Sequence, residues 1–466
     1  MRKGGPGMKY KKAIISAFIA GSAGFVLGYD MGISGGTITN VATHFNLNSA
    51  WEGFALSVFI VGAVLGSIFT RKINDELGRK RALIIGTIFM LIGAIGVYLF
   101  GDKFQLFLLC RGIAGAGMGL LFSSEPSYIT EISPPSIRGG LGSILQFTTG
   151  LGIILGYFVT FNMLKYQNII QDNLWMWKTI YGTEIVVVAI YLIFLFYIVH
   201  SPVWYLMKNR DDEAKKIMQD IWPDIDCDKF IETHSKYNRN DDESKNIEHQ
   251  MEKSGKLKKL IFISFFMAAL TELCGINPLI YYSSDIFRKI MPEGPNTAFY
   301  QSIINGVFFT IGSLVSMLTV DKFGRKTLLF IGTFIMSASL FIIGVHIYLS
   351  SYSMLLVYLV YLFIFSYNFS AGAIRFLYIG ELSPTPLRAY SLGFAGIVNW
   401  ASDFLVSWTL PIIANSIFLN RIFKGSSIFF IYSVFGFIFF ILVFTIPETK
   451  GKSLHEISEY WSLKDD

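Results

Sequence analysis

Charge is scarce in this sequence. Only 15% of its 466 residues are Asp, Glu, Lys or Arg, against 53% hydrophobic. A soluble chain of this length would form two or three domains with charged surfaces. Here the charges fall in short clusters, and the stretches between them run about 20 residues, enough for a helix to cross roughly 30 Å of hydrocarbon. Core helices of soluble globules are shorter and keep a polar face, so the runs read as bilayer spans. Cysteine is equally sparse: Cys110, Cys227 and Cys274 show no CxxC pairing. That excludes a zinc motif or a disulfide framework and leaves small apolar packing residues. The net charge of +6 does not point to nucleic acid, because the excess sits at the edges of the apolar runs. No nucleophile–base pair or metal-ligand cluster is visible, so neither an enzyme nor a cofactor is expected.

What is present is a repeat. Tyr128-Ile-Thr-Glu131-Ile-Ser-Pro-Pro-Ser-Ile-Arg138 returns as Tyr378-Ile-Gly-Glu381-Leu-Ser-Pro-Thr-Pro-Leu-Arg388. Asp75-Glu-Leu-Gly78-Arg79-Lys80 returns as Asp321-Lys-Phe-Gly324-Arg325-Lys326 at nearly the same offset. Two independent echoes at about one separation imply a duplicated half.

Twelve spans follow from hydropathy. In the first half they fall at 13–35, 53–70, 82–100, 105–127, 140–162 and 178–199. In the second they fall at 258–283, 299–320, 327–349, 354–379, 390–414 and 427–446. The expected fold is all-α: two six-helix bundles at 1–200 and 258–447, a polar linker with short helices at 201–257, and a tail at 448–466. Asp211–Met218 in the linker is acidic at its start and basic after, as a helix prefers. The first run follows Arg2, Lys3, Lys9, Lys11 and Lys12 but is too long for a signal peptide, so it reads as a retained span. Arg71–Arg81 and Lys322–Lys326 are basic, whereas 36–51 and 350–353 contain no Lys or Arg. Both termini and the linker are therefore expected on the cytoplasmic side. Six spans per half make the repeats parallel about the membrane normal. Gly62-Ala-Val-Leu-Gly66 and the four glycines of 112–119 read as faces for close helix packing.

Ionisable groups at membrane depth are costly and tend to be functional. Asp30 sits near the end of the first span and Arg111 opens the fourth. Both are expected to face a cavity and to pair, so that the acid can load and release a proton as access changes. Glu272, Arg375 and Asp403 are further charges, read as neutralising one another in the second half. Arg79, Glu131 and Arg138, with their echoes Arg325, Glu381 and Arg388, place opposite charges at helix ends, where they could latch the cytoplasmic side when the halves tilt together.

These residues carry a resemblance. Asp75-x-x-Gly-Arg-Lys, Arg111-Gly-x-x-Gly, Tyr128–Gly139, Ser201-Pro202, Gly275-Ile-Asn277-x-x-x-Tyr281-Tyr282, Asp321-x-x-Gly-Arg-Lys, Glu381–Arg388, Asn399-Trp400 and Pro447-Glu-Thr-Lys-Gly451 occur in order. The chain resembles the sugar-porter family of the major facilitator superfamily over nearly its full length. That resemblance implies transport of a hexose or similar sugar by alternating access. It places Gln146, Asn277, Asn305 and Asn399 as hydroxyl-binding groups, Trp400 as a wall, and Phe376 as a stacking face. Amides donate and accept, and an aromatic face covers C–H patches, which suits a sugar. Asp30 stands where proton-coupled members keep an acid, with Arg111 as its partner, so proton symport is implied.

The sequence also departs from the family. Thr271 and Glu272 replace two glutamines, which sets an anion beside the sugar site. Gly372-Ala-Ile-Arg375-Phe376 lacks the prolines that break the tenth span, so that helix is expected to keep its N–H bonds and bend less. His200 replaces an acidic position after the sixth span. The expected partners are a small sugar, protons and the lipid bilayer of the plasma membrane, with no nucleic acid, and the chain is expected to work as a monomer. The alternatives are a passive uniporter, a non-transporting sugar receptor, or a multi-pass enzyme, which would need a catalytic cluster.

Overall fold

The computed structural model describes residues 10–133, 138–170, 176–224, 226–228, 230–231, 255–282, 286–288, 295–384 and 387–450. Among them are twelve helices long and apolar enough to cross a membrane, and no strand. In the first half these are α1 (Lys11–His44), α2 (Ser49–Leu77), α3 (Arg79–Phe100), α4 (Phe104–Ile132), α5 (Gly140–Tyr166) and α6 (Met176–Leu195). In the second they are α7 (Lys256–Tyr281), α8 (Phe299–Phe323), α9 (Arg325–Tyr348), α10 (Met354–Leu382), α11 (Tyr390–Ala414) and α12 (Ser427–Thr445). Most overrun the expected edges; the span read at 53–70 is α2. Polar turns at the helix ends extend the helix without changing its apolar middle, so hydropathy alone sets the boundaries too tight. Asp30 therefore lies well inside α1, and Arg111 lies two turns into α4 rather than at its start.

Side chains such as Leu65, Phe69, Val186, Phe196, Leu318 and Ile441 point outward and are more than half exposed. That is the expected outer surface of a bundle solvated by lipid. Inside, helices approach closely through small residues. A Cβ on Gly28 of α1 would lie 1.9 Å from the Thr149 carbonyl oxygen of α5. One on Gly62 of α2 would lie 2.0 Å from that of Gly112 of α4, so the GxxxG face packs as read.

Two sharp turns repeat the duplicated motif. Gly78 and Gly324 take φ +87° and +89°, a region that glycine alone enters freely, and start α3 and α9 beside Arg79 and Arg325. The halves pack along α5 and α8, where a Cβ on Gly150 would lie 2.2 Å from Thr310 Oγ1, and are hydrogen-bonded at the opposite end of the bundle. There Trp408 Nε1 donates to Ala50 O at 3.2 Å, Asn415 Nδ2 donates to Ser49 Oγ at 3.0 Å, and the Tyr157 hydroxyl donates to Ile280 O.

α7 and α10 are interrupted where they pass the second-half side of the molecule's interior. α7 breaks at Gly275, φ +83°, between Lys256–Leu273 and Ile276–Tyr281. α10 contains a π-helical turn at Asn368–Gly372. The expectation that α10 keeps its ordinary N–H bonds without prolines fails at this turn. Proline is one way to interrupt a helix, and a widened turn is another. Here side chains stabilise the turn: Asn368 Nδ2 donates to Ile364 O at 3.1 Å and Ser370 Oγ to Ser366 O at 2.6 Å.

Short helices Pro202–Met207 and Asp211–Ile221 underlie the first half. Trp204 Nε1 donates to Asp75 O at 3.1 Å and Trp222 Nε1 to Ile132 O at 2.9 Å. The rest of the expected linker, 232–254, and the tail beyond 450 lie outside the described residues.

Candidate functional site

Between the halves is a cavity of about 460 Å³, including the part open to solvent. α1 contributes Leu27 and Met31, α4 Phe122, and α5 Gln146 and Thr149. The second half contributes Glu272, Asn277 and Tyr281 from α7, Phe309 from α8, Tyr367 and Arg375 from α10, and Asn399, Trp400 and Asp403 from α11. The interruptions of α7 and α10 bracket this wall. The α10 turn also places the Gly372 carbonyl within 3.3 Å of the Gln146 amide, a hydrogen bond across the two halves.

Five of the expected sugar-binding residues line the cavity: Gln146, Glu272, Asn277, Asn399 and Trp400. Asn399 Oδ1 and Trp400 Nε1 are buried and have no hydrogen-bond partner among the described residues. Such groups are costly unless something supplies the missing bond. The Trp400 ring also packs edge-on to Phe122 at 4.9 Å between centroids. Three expected residues do not line it. Thr271 turns its hydroxyl back to Met267 O at 2.6 Å. Asn305 is buried in α8 away from the lining. Phe376 packs instead against Phe122 and under Arg375, whose guanidinium carbon is 5.0 Å from the ring centre. Helical register decides all three, and register relative to a cavity is not visible in one sequence.

Of the three second-half charges expected to neutralise one another, Glu272 and Arg375 pair, whereas among the described residues no ion pair reaches Asp403. Arg375 Nη2 lies 3.3 Å from Glu272 Oε1, and Nη1 donates to the Tyr367 hydroxyl at 2.9 Å. Asn277 Nδ2 donates to Glu272 Oε2 at 3.0 Å.

Asp30 and Arg111 also pair. Arg111 Nη1 donates to Asp30 Oδ1, and Nη2 donates to Oδ2 at 3.1 Å and to Ser34 Oγ at 3.2 Å. Both side chains are essentially inaccessible, and the guanidinium sits 4.6 Å from the Phe59 ring centre and 5.1 Å from that of Tyr181. A two-pronged pair of this kind is strong and oriented. The expectation that both face the cavity is corrected: neither lines it, and the pair is enclosed within the first bundle. Leu27 and Met31, three residues before Asp30 and one after it on α1, do line it.

Charges at membrane depth were expected beyond this pair only in the second half. The first half holds two more, Glu125 on α4 and Glu184 on α6, each 1% exposed and each with Oε1 unpartnered among the described residues. Glu184 feels the charges of both Asp30 and Arg111. A lone acid inside an apolar run, before Pro126 in one case and after Thr183 in the other, was the available signal.

At the end carrying the glycine turns, Arg79 Nε donates to Glu131 Oε1 at 2.8 Å, and the Ser201 hydroxyl donates to Glu131 Oε2. Arg325 repeats this with Glu381, at 3.0 Å from Nε and 2.7 Å from Nη2. Each set pairs within its own half, and among the described residues no ion pair joins the halves. The side chains of Arg138 and Arg388 lie outside the described residues.

The family described as "Sugar (and other) transporter" matches residues 16–461. The chain belongs to that family. Among the relatives of this sugar-transporter family member is the arabinose-proton symporter of Bacillus subtilis, 31% identical over 463 residues and covering 96% of this chain and 95% of that one. The glucose transporter GlcP of Staphylococcus epidermidis is 29% identical, with 97% of each chain covered. A solved proton:xylose symporter of the major facilitator superfamily, bound to 6-bromo-6-deoxy-D-glucose, superposes with a TM-score of 0.84 over 97% of this chain and 100% of that one, at 24% identity. The fold is therefore the major facilitator fold of two six-helix bundles, in a multi-pass membrane protein.

Proposed function

We propose that the chain carries a monosaccharide, of hexose or similar size, across the plasma membrane by alternating access, in symport with a proton. The observation that carries this reading is the enclosed Asp30–Arg111 pair set one helix face away from an amide-lined cavity between two bundles. The sugar would sit between Gln146 of one half and Asn277, Asn399 and Trp400 of the other, so that its hydroxyls bridge the halves. Protonating Asp30 would release Arg111 and loosen α1, whose neighbours Leu27 and Met31 touch the cavity. Names of relatives support the reading: one is an arabinose-proton symporter and another a D-xylose-proton symporter of Escherichia coli.

The chain would act as a monomer in the bilayer, with 1–200 and 258–447 as its two bundles, 201–257 as the linker and 448–466 as the tail. Both termini would be cytoplasmic, on the side of the basic glycine turns. Arg79–Glu131 and Arg325–Glu381, with Arg138 and Arg388, would gate that side. In the present arrangement the halves are joined at the opposite end, and the charged sets, each paired inside its own bundle, would be free to separate.

The test is uptake of a labelled sugar panel by purified protein in liposomes, with and without an inward proton gradient. Accumulation that rises with the gradient is the expected result. Uptake indifferent to the gradient would reduce the protein to a uniporter, and binding without flux would make it a receptor.

A further inference from the structure

The charge in the cavity does not balance. Glu272 and Arg375 answer each other, with Asn277 and Tyr367 completing their hydrogen bonds. Asp403 feels both charges of that pair and lies by the Asn277 amide, but it makes no ion pair with Arg375. It lines the cavity, is fully buried, accepts from Ser407 Oγ at 3.0 Å through Oδ1, and has no partner for Oδ2 among the described residues. Among the lining residues Arg375 is the one cation, so two carboxylates face one guanidinium.

A buried carboxylate without a partner is costly until a cation or a strong donor arrives. A neutral sugar brings only hydroxyl donors. An ammonium brings three donors and a compensating charge. Asp403 also lies four residues beyond Asn399 and three beyond Trp400, so the three side chains share one face of α11. An amide for hydroxyls, an indole for a C–H patch and a carboxylate for an amine are thus presented together. A sugar bearing phosphate or carboxylate would meet the same negative excess and be repelled.

We infer that the cavity takes a cationic monosaccharide, an aldose carrying a protonated amino group, with Asp403 as the counter-ion of its ammonium. The inference rests on the sugar reading of this cavity and narrows it.

The test uses the full chain in phosphatidylethanolamine–phosphatidylglycerol liposomes at mildly acidic pH, where the free amine is protonated. Uptake of labelled D-glucosamine and labelled D-glucose is measured, with D-glucosamine and its neutral relative N-acetyl-D-glucosamine as competitors. Glucosamine is expected to compete at least about tenfold better than either neutral sugar, the scale for truncating one member of a buried charge pair. Asp403→Asn should erase that preference. Glu272→Gln, which leaves Arg375 to balance Asp403, should erase it too and serves if the first variant does not fold. Glucose uptake in which glucosamine competes no better than N-acetylglucosamine overturns the inference and leaves the sugar reading standing. Failure of both labelled sugars to enter or bind overturns both.

Discussion

Arg79 and Arg325 hold equivalent places after the two glycine turns, and each Nε donates to a glutamate of its own half, Glu131 at 2.8 Å and Glu381 at 3.0 Å. Duplication has preserved a contact as well as a sequence. Each pair ties the start of one helix to the end of another: α3 to α4, and α9 to α10. A rocking motion that moves the halves as rigid bodies would leave both pairs intact, which suits bundles that rotate without unfolding.

Pairing inside a half makes a prediction for double-mutant cycles. Arg79→Ala with Glu131→Ala should be non-additive in thermal stability, coupling by about 0.5–3 kcal/mol. Arg79→Ala with Glu381→Ala should be additive within about 0.5 kcal/mol. Strong coupling of the second combination would mean that the clusters engage across the halves instead.

Proton coupling is tested at Asp30. Asp30→Asn keeps the shape and removes the titrating group, so pH-driven accumulation should vanish while downhill exchange stays measurable. Counterflow and gradient-driven uptake of labelled sugar separate the two. Undiminished accumulation in the variant would take Asp30 out of the mechanism.

Glu272 accepts from Asn277 and pairs with Arg375 at the cavity wall. Glu272→Gln removes the carboxylate that pairs with Arg375 and leaves Asp403 as the nearest anion in the cavity, and truncating one partner of a buried pair costs on the order of 2–5 kcal/mol. Affinity or selectivity across a sugar panel should shift at least about tenfold. An unchanged ranking and unchanged affinities would assign Glu272 to packing alone.

Gly28 tests the join of α1 and α5. With a Cβ there 1.9 Å from the Thr149 carbonyl oxygen, Gly28→Ala must push the helices apart. Overpacking of this kind costs about 1–3 kcal/mol. The melting temperature in detergent should fall, and a melting curve identical to that of the unmutated protein would show that α1 yields freely.

His200 lies outside the spans, half-buried beside basic residues. Burial, then Lys80, Arg81 and Arg210, push its pKa below the ordinary histidine value. The unfolded chain therefore binds this proton more readily than the folded one, so stability rises with pH. The contribution is whole above about pH 6.5 and is lost as pH falls through the lowered folded value. Melting temperatures of the unmutated protein and His200→Gln, measured from neutral to acidic pH, should show a steeper acid-side fall in the former. Parallel curves would remove His200 as a pH-sensitive contact.

The twelve helices, the duplicated halves and the pairing of Asp30 with Arg111 were legible because each rests on local composition: an apolar run of bilayer length, a repeated motif, a charge too costly to leave alone. The same reasoning read Gly62 and Gly66 correctly as a packing face. It failed at α10, where Asn368 and Ser370 support a widened turn without proline. Thr271, Asn305 and Phe376, which the family resemblance placed at the site, sit in the expected helices but off the cavity lining.

The sequence by itself determined that the chain lies in a bilayer as two related bundles, since burial of backbone polar groups in hydrocarbon permits little else for such runs. Only the tertiary structure decided which buried groups meet. It enclosed Arg111 with Asp30 inside one bundle, matched Arg375 to Glu272 across two helices, and left Asp403 facing the cavity with an open lone pair. A helix rotates about 100° per residue, so neighbours in sequence face different surroundings, and contacts between helices depend on packing angles that no single stretch encodes.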